Sequence, residues 1–234
     1  MKRIIYAICS LFIGMGFYSC SLDEPSYGKT TSKNYYQKES DIEQALTGAY
    51  LQLRTTWNEY ALNHYFIGDC TTDDALKGGG GDGDRAEVQD LSNFTVYTTN
   101  GEVGRRWEIL YRLINRCNDV IYYAPNATGD KEILTRYANE AKALRAFGYY
   151  CLVTSFGGVP LITTPMQPED ILKIPRSSAE EVYQLIISDL TDASQLPSKG
   201  EYDAENAYRV TRGFAKTMLA KTYMFRGDFA SAET

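Results

Sequence analysis

The chain has 234 residues, of which 44% are hydrophobic and 23% charged, and this ordinary globular balance excludes a wholly disordered polypeptide. The formal net charge is −6, and no segment has the density of Lys and Arg that nucleic-acid binding needs. Nucleic acid is therefore not expected as a partner.

The first 19 residues have the order of a secretory signal peptide. Lys2 and Arg3 form a short basic start, an apolar stretch covers residues 4–17, and small Ser19 stands directly before Cys20. The apolar stretch is shorter than the roughly 20 residues that a transmembrane helix needs. We therefore predict a signal peptide that is removed on export, with no retained membrane span.

Cys20 stands where a bacterial lipobox has its acylated cysteine, although Phe17 and Tyr18 replace the usual Leu and small residue. Asp23 and Glu24 follow it, as in the export signal of lipoproteins displayed on bacterial surfaces. The pattern predicts that Cys20 is lipidated and that several acyl chains anchor the protein to a membrane. The alternative is a plain secreted protein with a chance cysteine at the cleavage site.

Residues 20–39 are predicted to form a tether between this anchor and the folded domain. Pro25, Gly28 and a run of Ser, Thr and Lys show no apolar period there. The folded domain is then expected over residues 40–234.

Two helices are predicted at the start of that domain. Ser40 and Glu43 have the spacing of a Ser-x-x-Glu capping box, and a second helix is expected to extend to about Ile67. Residues 68–102 then break the helical pattern with a run of glycines and many Asp and Thr residues. They are predicted to form one long loop, and such loops in compact domains are usually functional or disordered.

Two longer helices are expected next. Apolar residues recur at three- and four-residue steps from Trp107 until Pro125 ends the pattern, so Trp107 and Tyr111 are predicted to lie in the core. The following helix is expected over residues 133–152 and is closed by two glycines at 157–158.

Residues 159–165 are predicted to be extended, because they contain two prolines and several β-branched residues. Ser178 and Glu181 then form a capping box for another helix, which Pro197 stops.

The last stretch has the spacing of a tetratricopeptide repeat, a helical hairpin of about 34 residues. In that pattern a small residue allows close approach of the two helices, and Gly227 supplies the turn. Because the second helix has barely begun at Thr234, the last hairpin is expected to be incomplete. The matching positions are Leu219, Ala220, Tyr223, Gly227, Phe229 and Ala232.

In their order and spacing, these segments resemble the N-terminal half of SusD/RagB proteins, over essentially residues 20–234. No single motif is decisive, and the shared order carries the comparison. The segments are 41–50, Gly68-Asp69 with Asp73-Asp74, Trp107 through Asn115-Arg116-Cys117-Asn118, 140–146, 156–162, 211–215 and 219–223.

The resemblance implies a mainly α fold built from tetratricopeptide-like hairpins with long loops. It also implies a lipid-anchored protein on the cell-surface side of the outer membrane, which captures glycans or peptides for a SusC-like TonB-dependent transporter. Family members are about twice this length, so the chain looks truncated and much of the ligand surface is expected in the missing half. The alternative is a tetratricopeptide scaffold lipoprotein that binds only proteins.

Enzyme activity is not expected. His64 is the only histidine and is predicted to be a packing residue, and the sequence shows no nucleophile elbow, zinc spacing or phosphate loop. No cofactor or metal is therefore expected. A glycosidase needs only two carboxylates at a suitable separation, so that one alternative stays open.

Cys70, Cys117 and Cys151 remain after Cys9 leaves with the signal peptide and Cys20 is lipidated. An odd number of cysteines cannot all pair internally, and none lies in a CxxC pattern. They are predicted to be buried thiols that pack as small apolar residues.

The candidate ligand-binding residues lie in or beside the predicted loop. Sugars offer flat C–H faces and hydroxyl groups, which Tyr rings and planar polar side chains match. The candidates are Asp73, Asp74, Arg85, Tyr97 and Asn100. The alternative is a solvated loop whose polar residues only keep it soluble.

Overall fold

The computed structural model describes residues 35–54, 60–81 and 83–233, so the predicted signal peptide, Cys20 and most of the predicted tether lie outside the described residues. Within these ranges the protein is helical and contains no β-strand, which confirms the predicted mainly α fold. No helix in the same ranges is both long and apolar enough to cross a membrane.

The described α-helices are joined by turns, by short 3-10 helices, by longer loops and by the extended segment that the prolines predicted. In chain order they are α1 (Glu39–Tyr50), α2 (Tyr60–Gly68), α3 (Ala86–Ser92), α4 (Gly101–Tyr123), α5 (Lys131–Phe156), α6 (Pro168–Ile171), α7 (Ala179–Ala193), α8 (Arg212–Arg226) and α9 (Phe229–Ala232).

Helix α5 is the centre of the fold. It packs against α4 on one side and α7 on another, and α8 packs on α7. Buried residues occupy most of its circumference, as expected of a helix surrounded by others. Leu144, Tyr149 and Leu152 are among its fully buried large side chains. The predicted long helices are therefore confirmed, and they form the core on which the loops are supported.

The predicted capping box of Ser40 and Glu43 is wrong. Helix α1 begins one residue before Ser40, and the carboxylate of Asp41 accepts a hydrogen bond of 2.9 Å from the backbone N–H of Lys38. Glu43 instead lies 2.7 Å from the guanidinium of Arg209. A long-range ion pair thus uses the side chain that the local pattern assigned to the cap.

Residues 35–39, the end of the predicted tether, pack against the helical domain. The ring of Tyr36 stacks on that of Tyr123 with centroids 4.2 Å apart. The backbone N–H of Thr128 donates to the carbonyl of Gln37 at 2.8 Å. The packed part of the chain therefore reaches back at least to Tyr35.

The prediction of one structureless loop over residues 68–102 is wrong in part. Helix α3 lies within it and is anchored by Val88 and Leu91, which are 1% and 3% exposed. Helix α4 also begins earlier than the apolar period suggested, at Gly101. The sequence pattern did not indicate these seven helical residues, because the surrounding Gly and Asp residues generally disfavour helix.

Gly227 ends helix α8 as the repeat pattern predicted. Its φ of 79° and ψ of 11° lie in the left-handed region, which glycine enters without steric cost. The N–H of the next residue, Asp228, then bonds the carbonyl of Tyr223 at 2.9 Å. Helix α9 starts immediately afterwards, so the turn of the predicted hairpin is confirmed.

Cys70, Cys117 and Cys151 are all buried, as predicted. Burial raises the pKa of the Cys117 thiol, so this side chain stays protonated at neutral pH. It lies in the core between α4 and α5 and packs as a small apolar residue.

Candidate functional site

Asn100 caps helix α4 and does not present its side chain to a ligand. Its side-chain oxygen accepts hydrogen bonds of 3.0 and 3.2 Å from the backbone N–H groups of Glu102 and Val103. Its amide nitrogen donates to the carbonyl of Glu87 in α3 at 2.9 Å. Asn100 is 5% exposed, so this candidate instead holds the start of α4 against α3.

Arg85 belongs to a polar network around the buried carboxylate of Glu102. Its Nη1 lies 3.5 Å from Glu102 Oε1, and its guanidinium lies 4.9 Å from the centroid of the Phe66 ring. Asn63 in α2 donates to Glu102 Oε2 at 3.0 Å, and Arg105 lies 3.6 Å from the same oxygen. The network joins α2, α3 and α4, while the Arg85 side chain remains 29% exposed and accessible to a ligand.

Tyr97 lies on an exposed turn directly before this cap. Its side chain is 66% exposed, and its carbonyl accepts a 3.0 Å hydrogen bond from the N–H of Asn100. Phe94 and Val96 on the same turn are 75% and 45% exposed. We call residues 94–97 the aromatic turn. The capped start of α4 therefore adjoins a surface that carries two exposed aromatic rings.

Asp73 and Asp74 are both exposed, on the turn that follows α2. No hydrogen bond or ion pair within the described ranges joins either carboxylate to the aromatic turn. The structure therefore leaves these two candidates accessible but does not group them with Tyr97.

Trp107 is not a core residue, which corrects the prediction from periodicity, whereas Tyr111 is partly buried and packs against the core. Trp107 is 38% exposed, and both rings line an open cleft of about 310 Å³ between α4 and the segments around residues 160–162 and 171–172. The phenol of Tyr111 donates to the carbonyl of Pro160 at 2.7 Å. We call this the apolar cleft. Its lining residues are Trp107, Tyr111, Ile114, Asn115, Pro160, Ile162, Ile171 and Leu172.

Buried side chains fix the wall of the apolar cleft. The carbonyl of Ile162 accepts hydrogen bonds from Tyr149 Oη at 2.9 Å and Asn118 Nδ2 at 2.8 Å. Burial raises the pKa of Tyr149 to about 12, so the phenol keeps its proton for this bond. Gly158 begins the same segment, and a Cβ there would lie 2.1 Å from the carbonyl oxygen of Ser177. These contacts therefore hold the extended segment against α4 and α5.

The chemistry of the apolar cleft suits binding of a C–H surface. Among the described residues that line it there is no carboxylate, and the amide of Asn115 is its main exposed hydrogen-bonding group. Two carboxylates across a bound sugar, the requirement of most glycosidases, are therefore lacking in this cleft.

His64 is solvent-exposed, which corrects its prediction as a packing residue. Its Nδ1 lies 3.3 Å from Nη1 of Arg106. Partial burial of the ring and the neighbouring Arg106 charge both lower the pKa of His64. The imidazole is therefore neutral at pH 7.

No group of three His, Cys, Asp or Glu side chains within the described ranges could hold a metal ion.

Comparison with known proteins identifies the family of this chain. Residues 21–224 match the SusD-like family model whose description is starch-binding and associating with the outer membrane. The chain belongs to the SusD-like family. The recognition from sequence motifs is thereby confirmed.

Curated relatives and solved SusD-like structures agree with this assignment. SusD-like protein P2 of Formosa agariphila is 28% identical over 99% of this chain and 45% of its own length. A laminarin-binding SusD-like protein has a TM-score of 0.76 and 31% identity over 84% of this chain and 42% of that one. Surface glycan-binding protein A of Bacteroides thetaiotaomicron, solved with laminarihexaose, has a TM-score of 0.69 and 27% identity over 82% and 40%. The chain spans less than half the length of these proteins.

Proposed function

We propose that this protein is a surface lipoprotein of the outer membrane that binds an oligosaccharide without cleaving it and delivers it to a SusC-like TonB-dependent transporter. Membership of the SusD-like family and the glycan-binding relatives support the ligand class. The observation that carries the proposal is the exposed aromatic turn, held in place by the capped start of α4.

The aromatic turn fits a sugar for a physical reason. The C–H face of a pyranose is apolar and packs against an aromatic ring, while its hydroxyl groups need polar partners nearby. Tyr97 offers the ring and a phenol, and Arg85 offers a guanidinium that is 29% exposed. Asp73 and Asp74 lie on a separate turn, and we propose that their exposed carboxylates contact the same glycan as acceptors.

Tyr97→Ala is expected to weaken glycan binding, because it removes a stacking surface. Losses of roughly 1 to 3 kcal/mol are expected for this variant, for Asp73→Ala and for Arg85→Ala. Isothermal titration calorimetry with laminarihexaose as the probe measures the affinity, and circular dichroism shows that each variant is folded.

Tyr122→Ala is the matched control, since Tyr122 is 53% exposed near the other end of α4. Its affinity should equal that of the wild type. Unchanged affinity in all three site variants would remove the aromatic turn from the site, and release of reducing ends from the probe would contradict binding without cleavage.

The apolar cleft gives specific support to a second function, a scaffold that binds only proteins. Its lining is almost entirely apolar, and Leu172 at its edge is 88% exposed, which suits an apolar side chain of a partner. Leu172→Asp distinguishes the two functions. It should leave laminarihexaose affinity unchanged if the aromatic turn binds the glycan, whereas a scaffold would bind no glycan in any variant.

Cys20→Ala tests the predicted lipid anchor. The variant should not incorporate labelled palmitate and should move from the membrane fraction to the soluble fraction. Without acylation, its N-terminal segment lacks the several acyl chains that would anchor the wild type to the membrane. Ser19→Thr is a mild control at the neighbouring position. Absence of label in the wild type would show that the protein is not lipidated.

A further inference from the structure

Arg106 is a buried cation without a carboxylate. It is 5% exposed, and no Asp or Glu oxygen among the described residues lies within 4.0 Å of its guanidinium. The other two arginines that are buried among the described residues are paired, Arg145 with Asp189 and Arg209 with Glu43 and Glu140. Buried arginines are almost always paired, because desolvation of an isolated charge is costly.

The partners of Arg106 are neutral. Its Nε donates to Ser155 Oγ at 2.9 Å, and that hydroxyl in turn donates to the carbonyl of Cys151 at 2.8 Å. Its Nη1 meets His64 Nδ1 at 3.3 Å, and the lowered pKa of His64 keeps this ring uncharged. Nη2 has no hydrogen bond to the described residues, and it is not among their fully buried atoms that lack a hydrogen bond.

The groups around Arg106 carry charges of both signs. Ser155 lies in the last turn of α5, whose C-terminal end carries about half an elementary negative charge. The charges of Lys221 and Asp69 act in opposite directions on nearby His64. Among the described residues no carboxylate touches Arg106 directly, on a chain whose formal net charge is −6.

We propose that Arg106 binds one anionic group, a carboxylate or a sulfate ester, of the glycan captured by this protein. This inference rests on the proposed function and makes the ligand an acidic oligosaccharide. Arg106 lies one helical turn from Glu102, about 6 Å along α4, so the anion site adjoins the network that braces the aromatic turn. A guanidinium edge with free N–H groups is the group best suited to a planar or tetrahedral oxyanion.

Sodium sulfate is the first probe. In a ¹H–¹⁵N spectrum of arginine side chains, the Arg106 Nε signal should shift in a saturable way with sulfate, compared with sodium chloride at equal ionic strength. Arg112 on the same helix is the internal control, because it is exposed and paired with Glu108. An Arg106 signal that moves no more than that of Arg112 would show that the helix end alone neutralises this cation.

Acidic glycans form the second arm and identify the source of the anion. A galacturonate hexamer or a sulfated hexasaccharide should bind the wild type at least about tenfold more tightly than Arg106→Gln, since a charge-assisted contact is lost. Arg106→Lys, which keeps the charge, should recover part of the affinity if Arg106→Gln is poorly folded. Equal affinities of wild type and both variants for both acidic probes would overturn the inference. Binding of neutral laminarihexaose would at the same time leave the proposed function standing.

Discussion

Replacing Asp189 with Ala is expected to lower the free energy of unfolding by about 3 to 5 kcal/mol, because it leaves a buried guanidinium without its counter-ion. Asp189 Oδ1 and Oδ2 each lie 2.8 Å from a nitrogen of Arg145. The two side chains are 4% and 6% exposed, so water cannot replace the lost carboxylate. The pair joins α5 to α7 across the centre of the fold.

The same substitution is expected to loosen the wall of the apolar cleft. Arg145 Nη1 also donates to Asn118 Oδ1 at 2.8 Å and to the carbonyl of Thr163 at 3.1 Å. Without Asp189, the guanidinium has no carboxylate to hold it in this position. Urea unfolding followed by circular dichroism measures the stability, and the fluorescence of Trp107 and its neighbours reports on the cleft.

Asp192→Ala is the matched control for this prediction. Asp192 is on the same helix and pairs with Lys142 at 2.6 Å, but its side chain is 49% exposed. Exposed pairs contribute about 0 to 1 kcal/mol, so the loss should be small. Equal losses in the free energy of unfolding for the two aspartate variants would show that burial adds nothing to the contribution of the Arg145 pair. The double variant Arg145→Met with Asp189→Leu should recover stability, because it buries no charge.

Helix positions could be predicted from the sequence because apolar spacing and turn residues are local signals. The capping box of Ser178 and Glu181 is present, with Ser178 Oγ 3.2 Å from the N–H of Glu181, and Gly227 forms the predicted turn. Family motifs spread over the chain added the identity. The predicted cap at Ser40 failed because Glu43 has a stronger partner far away in sequence, at Arg209.

Periodicity shows which face of a helix is apolar, but it does not show what covers that face. Trp107 and Tyr111 follow the helical period of α4, yet the segment opposite them leaves an open cleft. Asn100 failed as a ligand candidate for the opposite reason. Its polarity on a predicted loop suggested exposure, whereas the start of α4 needed a cap at that position. The missing information in both cases was tertiary contact.

The buried polar network could not be predicted either, since its members are far apart in sequence. Arg209 lies 69 residues from Glu140 and 166 from Glu43. In the sequence, Arg209 is one of many charged residues in a polar segment. Only the fold shows that the Arg209 side chain is 2% exposed and that it ties this segment to α1 and α5.

Arg209→Ala is expected to lower the free energy of unfolding by about 3 to 5 kcal/mol at pH 7.5, because it leaves the carboxylate of Glu140 buried without its main counter-ion. Glu140 Oε2 accepts hydrogen bonds from Arg209 Nη1 at 3.2 Å and from Tyr50 Oη at 2.8 Å. Arg136 Nε, at 3.8 Å from Glu140 Oε1, would be the remaining cation. The Glu140 side chain is 0% exposed, so solvent cannot screen its charge.

The loss in Arg209→Ala is expected to shrink as the pH falls, and this pH dependence distinguishes an unpaired carboxylate from lost packing. Burial raises the pKa of Glu140 and the charge of Arg209 opposes that rise, so removing Arg209 raises the pKa further. A raised acid pKa in the folded state costs stability above the unfolded value, and protonation removes that cost as the pH falls towards about 4.5. Urea unfolding at pH 7.5 and 5.5 measures the difference, and Arg226→Ala, which breaks the more exposed pair with Glu180, should show a small loss at both values. A loss in Arg209→Ala that is the same at both pH values would mean that Glu140 does not carry an uncompensated charge in the variant.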